Sequence, residues 1–129
     1  MMREAPEKRS RGGPSQRQLR VGEALRHALA ERLARADLRD PTLRETSITV
    51  TEVRVSPDLR SATAYVTRLG GGAMEAVIEA LNRAAPYLKS ELARRVPLKF
   101  TPELEFVADP SFDRAQHIAE LIRRGEGRS

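Results

Sequence analysis

The sequence predicts an α+β domain in which a three-stranded sheet carries helices on one face. Two alternating apolar stretches flank a tight turn at Ser56–Leu59, which makes a hairpin. A third alternating stretch, Leu104–Val107, follows a long helical segment, so it can pair parallel to a hairpin strand through a crossover. Helical periodicity on both sides of the hairpin supplies the covering layer.

The first helix is expected to begin near Ser15 to Gln18. Val21, Leu25, Ala28, Leu29 and Leu33 recur at helical spacing, while Arg26, Glu31 and Arg35 lie off that stripe. It should end near Ala36, because Asp37–Pro41 is rich in turn residues and Asp40, preceding a proline, is pushed out of the helical region. Ile48 to Ser56 predicts a strand. The pairs Ile48/Val50 and Val53/Val55 alternate out of phase, and a bulge near Thr51-Glu52 would bring them into phase. Ser61 to Thr67 is the second strand, with Ala62, Ala64 and Val66 on one face and Thr63, Tyr65 and Thr67 on the other.

Gly70-Gly71-Gly72 lacks the Lys-Ser/Thr of a phosphate-binding loop, so it is a connector. Met74, Val77, Ile78 and Leu81 mark a helix face. Ala84-Ala85-Pro86 predicts a proline joint, beyond which Leu88, Leu92 and Val96 mark a second helix. Leu98 and Phe100 lie in an extended connection between Pro97 and Pro102. A short last helix should carry Ala115, Ile118, Leu121 and Ile122 on its buried face. Three regions follow: a disordered basic arm at 1–15, a folded domain at 16–124 and a flexible tail at 125–129.

Charge is distributed unevenly. The net charge is +5, and residues 83–99 hold five cations against one acid, Glu91. Residues 1–20 form a second basic concentration, and the remainder is slightly acidic. This pattern suits a polyanion. Arginine outnumbers lysine by 20 to 3, and its planar fork suits phosphate. The chain has no cysteine, which excludes disulfides and thiol chemistry and is compatible with the cytoplasm. No apolar run reaches the length of a membrane span, and Met1–Ser15 has no secretory apolar region.

Catalytic readings are weak. Asp109, Asp113 and His117 are spaced so that a metal is conceivable, but helix capping by an Asp is simpler. Glu103 and Glu105 share a strand face, which is more simply a solvated face. The sequence therefore predicts no catalytic residue, no metal and no cofactor.

The element order resembles a KH domain of the helix-first kind (type II): α-β-β-α-kink-α-β with a short final helix. The usual Gly-x-x-Gly clamp is absent, and the matching junction is Ala84-Ala85-Pro86. Further segments carry a narrower resemblance. They are Arg17–Glu23 at the first helix start, Val53–Ala62 through the hairpin, Tyr65-Val66, and Leu98–Phe106 with Asp109 and Ser111. Over Arg17 to Ile122 the sequence resembles the ribosome-binding factor A family, whose helices meet at an Ala-x-Gly kink. Here Pro86 replaces the glycine.

The resemblance implies a monomeric, cytoplasmic assembly factor, not an enzyme. It implies binding to the free small (30S) ribosomal subunit and its precursors, contact with 16S rRNA, and help in late maturation and 5′-end processing, above all in the cold. On that reading Arg17, Arg20, Arg83, Lys89, Arg94, Arg95 and Lys99 contact RNA phosphates, and Ala84, Ala85 and Pro86 form the kink through which RNA backbone approaches. Lys8, Arg9 and Arg11 of the arm extend the footprint. The alternatives are a basic DNA-binding or nucleoid protein, or a general RNA-binding module.

Overall fold

The computed structural model describes residues 13–70, 73–110 and Ile122. Residues 1–12 of the expected arm, residues 111–121 of the expected last helix, with Asp113 and His117, and the expected C-terminal tail lie outside the described residues, whereas Ser15, expected in the arm, belongs to the start of α1. In chain order the elements are α1 (Gln16–Ala34), α2 (Pro41–Arg44), β1 (Ile48–Val55), β2 (Ser61–Arg68), α3 (Glu75–Arg95) and β3 (Glu103–Ala108).

Ser15 starts α1 with a capping box. Its hydroxyl accepts from the Gln18 backbone N–H at 3.1 Å, and the Gln18 carboxamide oxygen accepts from the Ser15 N–H at 2.9 Å. The helix stops at Ala34 because Ala36 turns left-handed, with φ 54°. The sequence reading missed α2, a single turn signalled by Asp40-Pro41. Asp40 caps it by accepting from the Thr42 N–H at 2.9 Å, Pro41 supplies the first helical φ, and Leu43 is buried.

β1 and β2 pair antiparallel, and their register shifts between Val50 and Glu52, so the bulge lies where the alternation breaks. It lets Val50, Val53 and Val55 all point into the core. β3 joins β2 in parallel, from Ser61 opposite Glu103 to Val66 opposite Ala108, giving the order β1-β2-β3. Helix α1 packs on β1 and α3 on β3, enclosing one core with Leu25, Leu29, Ala64, Val66, Leu81, Leu88 and Phe106. On the other sheet face Glu103 and Glu105 are exposed and Arg54 lies 4.9 Å over the Tyr65 ring. Ile122, expected on a buried face, is 56% exposed.

The expected pair of helices with a joint between them is one helix, continuous from Glu75 to Arg95 with Pro86 inside it. Proline removes the N–H that would bond the Asn82 carbonyl. Pro86 sits on the exposed side, opposite Val77, Leu81, Ala85, Leu88 and Leu92, where a curved helix has its longest hydrogen bonds and loses least.

Two local devices fix the layers. Gly22 lies against β1 so closely that a Cβ there would stand 2.5 Å from the Val53 carbonyl oxygen. Beside it, the Gln18 carboxamide donates to the Val55 carbonyl at 2.9 Å. On the opposite side, Asn82 completes the free edge of β3. Its carboxamide donates to the Phe106 carbonyl at 3.1 Å and accepts from the Phe106 N–H at 2.9 Å. Phe106 is 1% exposed, so those backbone groups would otherwise be orphaned.

Gly22→Ala gains helix propensity of about 1 kcal/mol but forces α1 off β1, an overpacking cost of roughly 1–3 kcal/mol. Net destabilisation is expected in urea unfolding. Asn82→Ala should cost about 1–2 kcal/mol in the same measurement, because it strands a buried donor and acceptor.

Candidate nucleic-acid interface

The basic residues are distributed by their place on α3. Arg83 and Arg94 project on the solvent side, 64% and 80% exposed. Lys89 flanks β3 and pairs with Glu103, and Arg95 flanks α1 and pairs with Glu31 at 3.2 Å. Arg83 donates to Asp40 at 2.9 Å, and that hydrogen bond, with the one from the Thr42 N–H, holds the Asp40 carboxyl below the ordinary range. Arg94 approaches Glu91 only to 3.8 Å. Exposed pairs of this kind are worth about 0–1 kcal/mol, so each cation can be handed to a phosphate at little cost.

Arg17 and Arg20 are exposed on the first turns of α1. That helix lies over β1, at the sheet edge away from β3, so they are not packed with the α3 group. The kink residues divide differently. Ala85 is buried, Ala84 is half-buried against the core, and Pro86 alone of the three is exposed. The small side chains therefore let α3 lie close on the core.

Two elements of the site escaped the sequence reading. The first is Arg32, 3% exposed and placed where α1 meets α3. It donates to Glu91 at 2.9 Å, to Asp37 at 2.6 Å and to the Tyr87 hydroxyl at 2.9 Å. Its carbon lies 5.4 Å from the Tyr87 ring centroid. The hydrogen bond with Tyr87, then those with Asp37 and Glu91, hold the guanidinium firmly protonated, and Arg32 in turn lowers the Asp37 carboxyl. Because α1 is anchored to the sheet, this hub sets how α3 presents its outer face. Its signal is faint: Arg32 follows the core stripe by three residues from Leu29.

The second is Arg60, just after the hairpin turn, which comes beside Lys89, Lys99 and Phe100. Nothing in its local sequence separates it from an ordinary turn arginine. Among the described residues there is no cluster of three metal-ligating side chains, and no helix is long and apolar enough to cross a membrane. Asp109, a candidate for capping or metal binding, accepts from the Thr51 hydroxyl of β1.

The fold and its charge pattern define a KH-like domain whose cations gather on the long helix before the last strand. The comparisons with known proteins narrow this class. The family described as ribosome-binding factor A matches residues 17–122, and the chain belongs to that family. It is 52% identical over 113 residues to ribosome-binding factor A of Rhodospirillum rubrum, covering 88% of this chain and 69% of that one. The crystal structure of the Thermus thermophilus factor superposes with a TM-score of 0.60 at 35% identity, over 70% of this chain and 94% of that chain. A homology model of the Thermus thermophilus factor, fitted into the cryo-electron-microscopy map of its 30S complex, matches with a TM-score of 0.53 at 36% identity. That match covers 65% of this chain and 86% of the other.

Arg32→Met leaves Glu91 with only the long Arg94 contact and Asp37 with only Arg35, and should destabilise the domain by about 1–3 kcal/mol, because Glu91 is mostly buried while Asp37 and Tyr87 are half-exposed. Arg32→Lys should recover only part of this, because a point charge cannot meet three partners in one plane. The Asp37 carboxyl is depressed on folding, so its contribution is fully present above its ordinary value of 3.8 and fades as pH falls through the folded value. Urea unfolding at pH 6 and pH 3 should therefore show a larger acid loss for the wild type than for Arg32→Met.

Proposed function

We propose that this protein is an assembly factor of the small ribosomal subunit. It binds the free 30S subunit and its precursors, touches 16S rRNA through the basic side chains of α3, and assists late maturation and 5′-end processing of that RNA. Its action is by binding rather than catalysis, as a monomer in the cytoplasm, and it matters most in the cold, when RNA refolding is slow. The observation that carries this reading is the likeness to the Thermus thermophilus factor fitted into the map of its 30S complex.

The charge geometry supports it. Arg83, Arg94 and Lys99 offer cations on the solvent side of α3 and just beyond its end, and Lys89 and Arg95 stand at its two flanks. Arg17, Arg20 and the arm residues Lys8, Arg9 and Arg11 add a second group of phosphate contacts. Such contacts position a protein on RNA and leave specificity to RNA shape and to neighbouring ribosomal proteins.

The protein is expected to co-sediment with free small subunits and to be absent from mature ribosomes. Duplex DNA bound as tightly as the subunit would instead favour a nucleoid protein. With about five phosphates neutralised, the log–log slope of affinity against salt should lie on the order of −3 to −5. Arg94→Ala should weaken subunit binding and reduce the slope by about 1, with stability unchanged. A slope near zero would remove the electrostatic part of the reading.

A further inference from the structure

An open groove of about 670 Å³ lies between the hairpin turn, the outer half of α3 and the segment leading into β3. Its walls include Arg60, Pro86, Lys89, Ala93, Phe100 and Thr101. Phe100 is 64% exposed, in a chain with only three Phe, two Tyr and no Trp. Its ring has a cation on either hand: the Arg60 guanidinium at 6.0 Å from the centroid and the Lys99 ammonium at 5.7 Å. Neither makes an ion pair among the described residues, while the acid in the groove, Glu103, is already neutralised by Lys89.

The position of Arg60 is built in. Its carbonyl accepts from the Glu103 N–H at 2.9 Å, and its own N–H donates to the Asp58 carboxylate at 3.0 Å and to the Ser56 hydroxyl at 3.2 Å. The hairpin turn is thereby tied to the start of β3, on which Phe100 borders. An exposed aromatic face with cations beside it and a groove of nucleotide size combines the two features used for unpaired nucleic acid: a π surface for a base and charge for the flanking phosphates. An apolar side chain docking on the ring would leave both cations without partners. An exposed cation–π contact is weaker than a base–aromatic stack, so an incoming base can displace Lys99 from the ring and leave its ammonium free for a phosphate.

We propose that Phe100 is a stacking platform for one unpaired RNA base, with Arg60 and Lys99 holding the adjoining phosphates. The proposal rests on the rRNA-binding reading above and assigns the class of RNA that one part of the surface takes: a splayed single strand.

The test uses the full chain with purified free small subunits and with a single-stranded oligoribonucleotide of about ten residues. Phe100→Ala should lower affinity for both by roughly 5- to 100-fold while leaving the salt slope unchanged. Phe100→Tyr should retain binding. Lys99→Ala should reduce the salt slope by about 1. Phe100→Trp, the single tryptophan of that variant, should be quenched on adding the oligonucleotide. Phe100 is exposed, so thermal unfolding should be the same in all these proteins. If the wild type binds subunits but Phe100→Ala binds within twofold of it, the platform is refuted and the rRNA-binding reading stands. If Phe100→Ala weakens subunit binding alone, with no oligonucleotide binding and no quenching, the ring meets a ribosomal protein and the proposal falls. If the wild type binds neither subunits nor RNA, the underlying reading falls first.

Discussion

One buried arginine holds the covering layer together. Arg32 reaches from α1 to Glu91 and Tyr87 of α3 and to Asp37 in the turn after its own helix. A guanidinium suits this place because its donors lie in one plane and cannot be deprotonated. Burying it unpaired would be prohibitive, so the three acceptors must be in place whenever the domain is closed. The two helices are thereby fixed relative to one another, since α1 is already locked on β1 by Gly22 and Gln18. An apolar contact would have given cohesion without this angular definition, because dispersion has little directional preference.

The same economy governs α3. One side packs Val77, Leu81, Leu88 and Leu92, the opposite side carries Pro86 and the arginines, and a flank lends Asn82 to the sheet edge. The proline is tolerated because it faces water, and the missing helical bond falls at Asn82, the residue whose side chain is committed to β3. The helix is at once a core element, an edge cap and a charged surface, and its length of 21 residues makes room for all three.

Much of the fold was legible because it rests on local periodicity. The out-of-phase valines located the bulge, Ser56–Leu59 located the hairpin turn, and Ser15 with Gln18 marked the start of α1. The α2 turn was also written in Asp40-Pro41, but four residues are too few to show a period. Pro86 misled in a specific way. Proline signals a break, yet tertiary packing of the apolar side kept the helix continuous through it. Of the site, the clustering of charge was visible, but the faces were not. Arg95 lies on the flank beside α1, where it pairs with Glu31, and Ala84 and Ala85 lie on or against the core. Arg32, Asn82 and Arg60 act through partners distant in sequence, and no local signal names a partner 59 residues away, as Glu91 is from Arg32.

The parallel pairing of β3 with β2 has a consequence in time. The hairpin and α1 can form from neighbouring residues, whereas β3 closes the sheet only after the whole crossover helix has been made and docked. Arg60 belongs to the hairpin and Phe100 to the segment that leads into β3, so the groove between them requires β3 to be paired. Completion of the last strand and assembly of that groove are therefore one event.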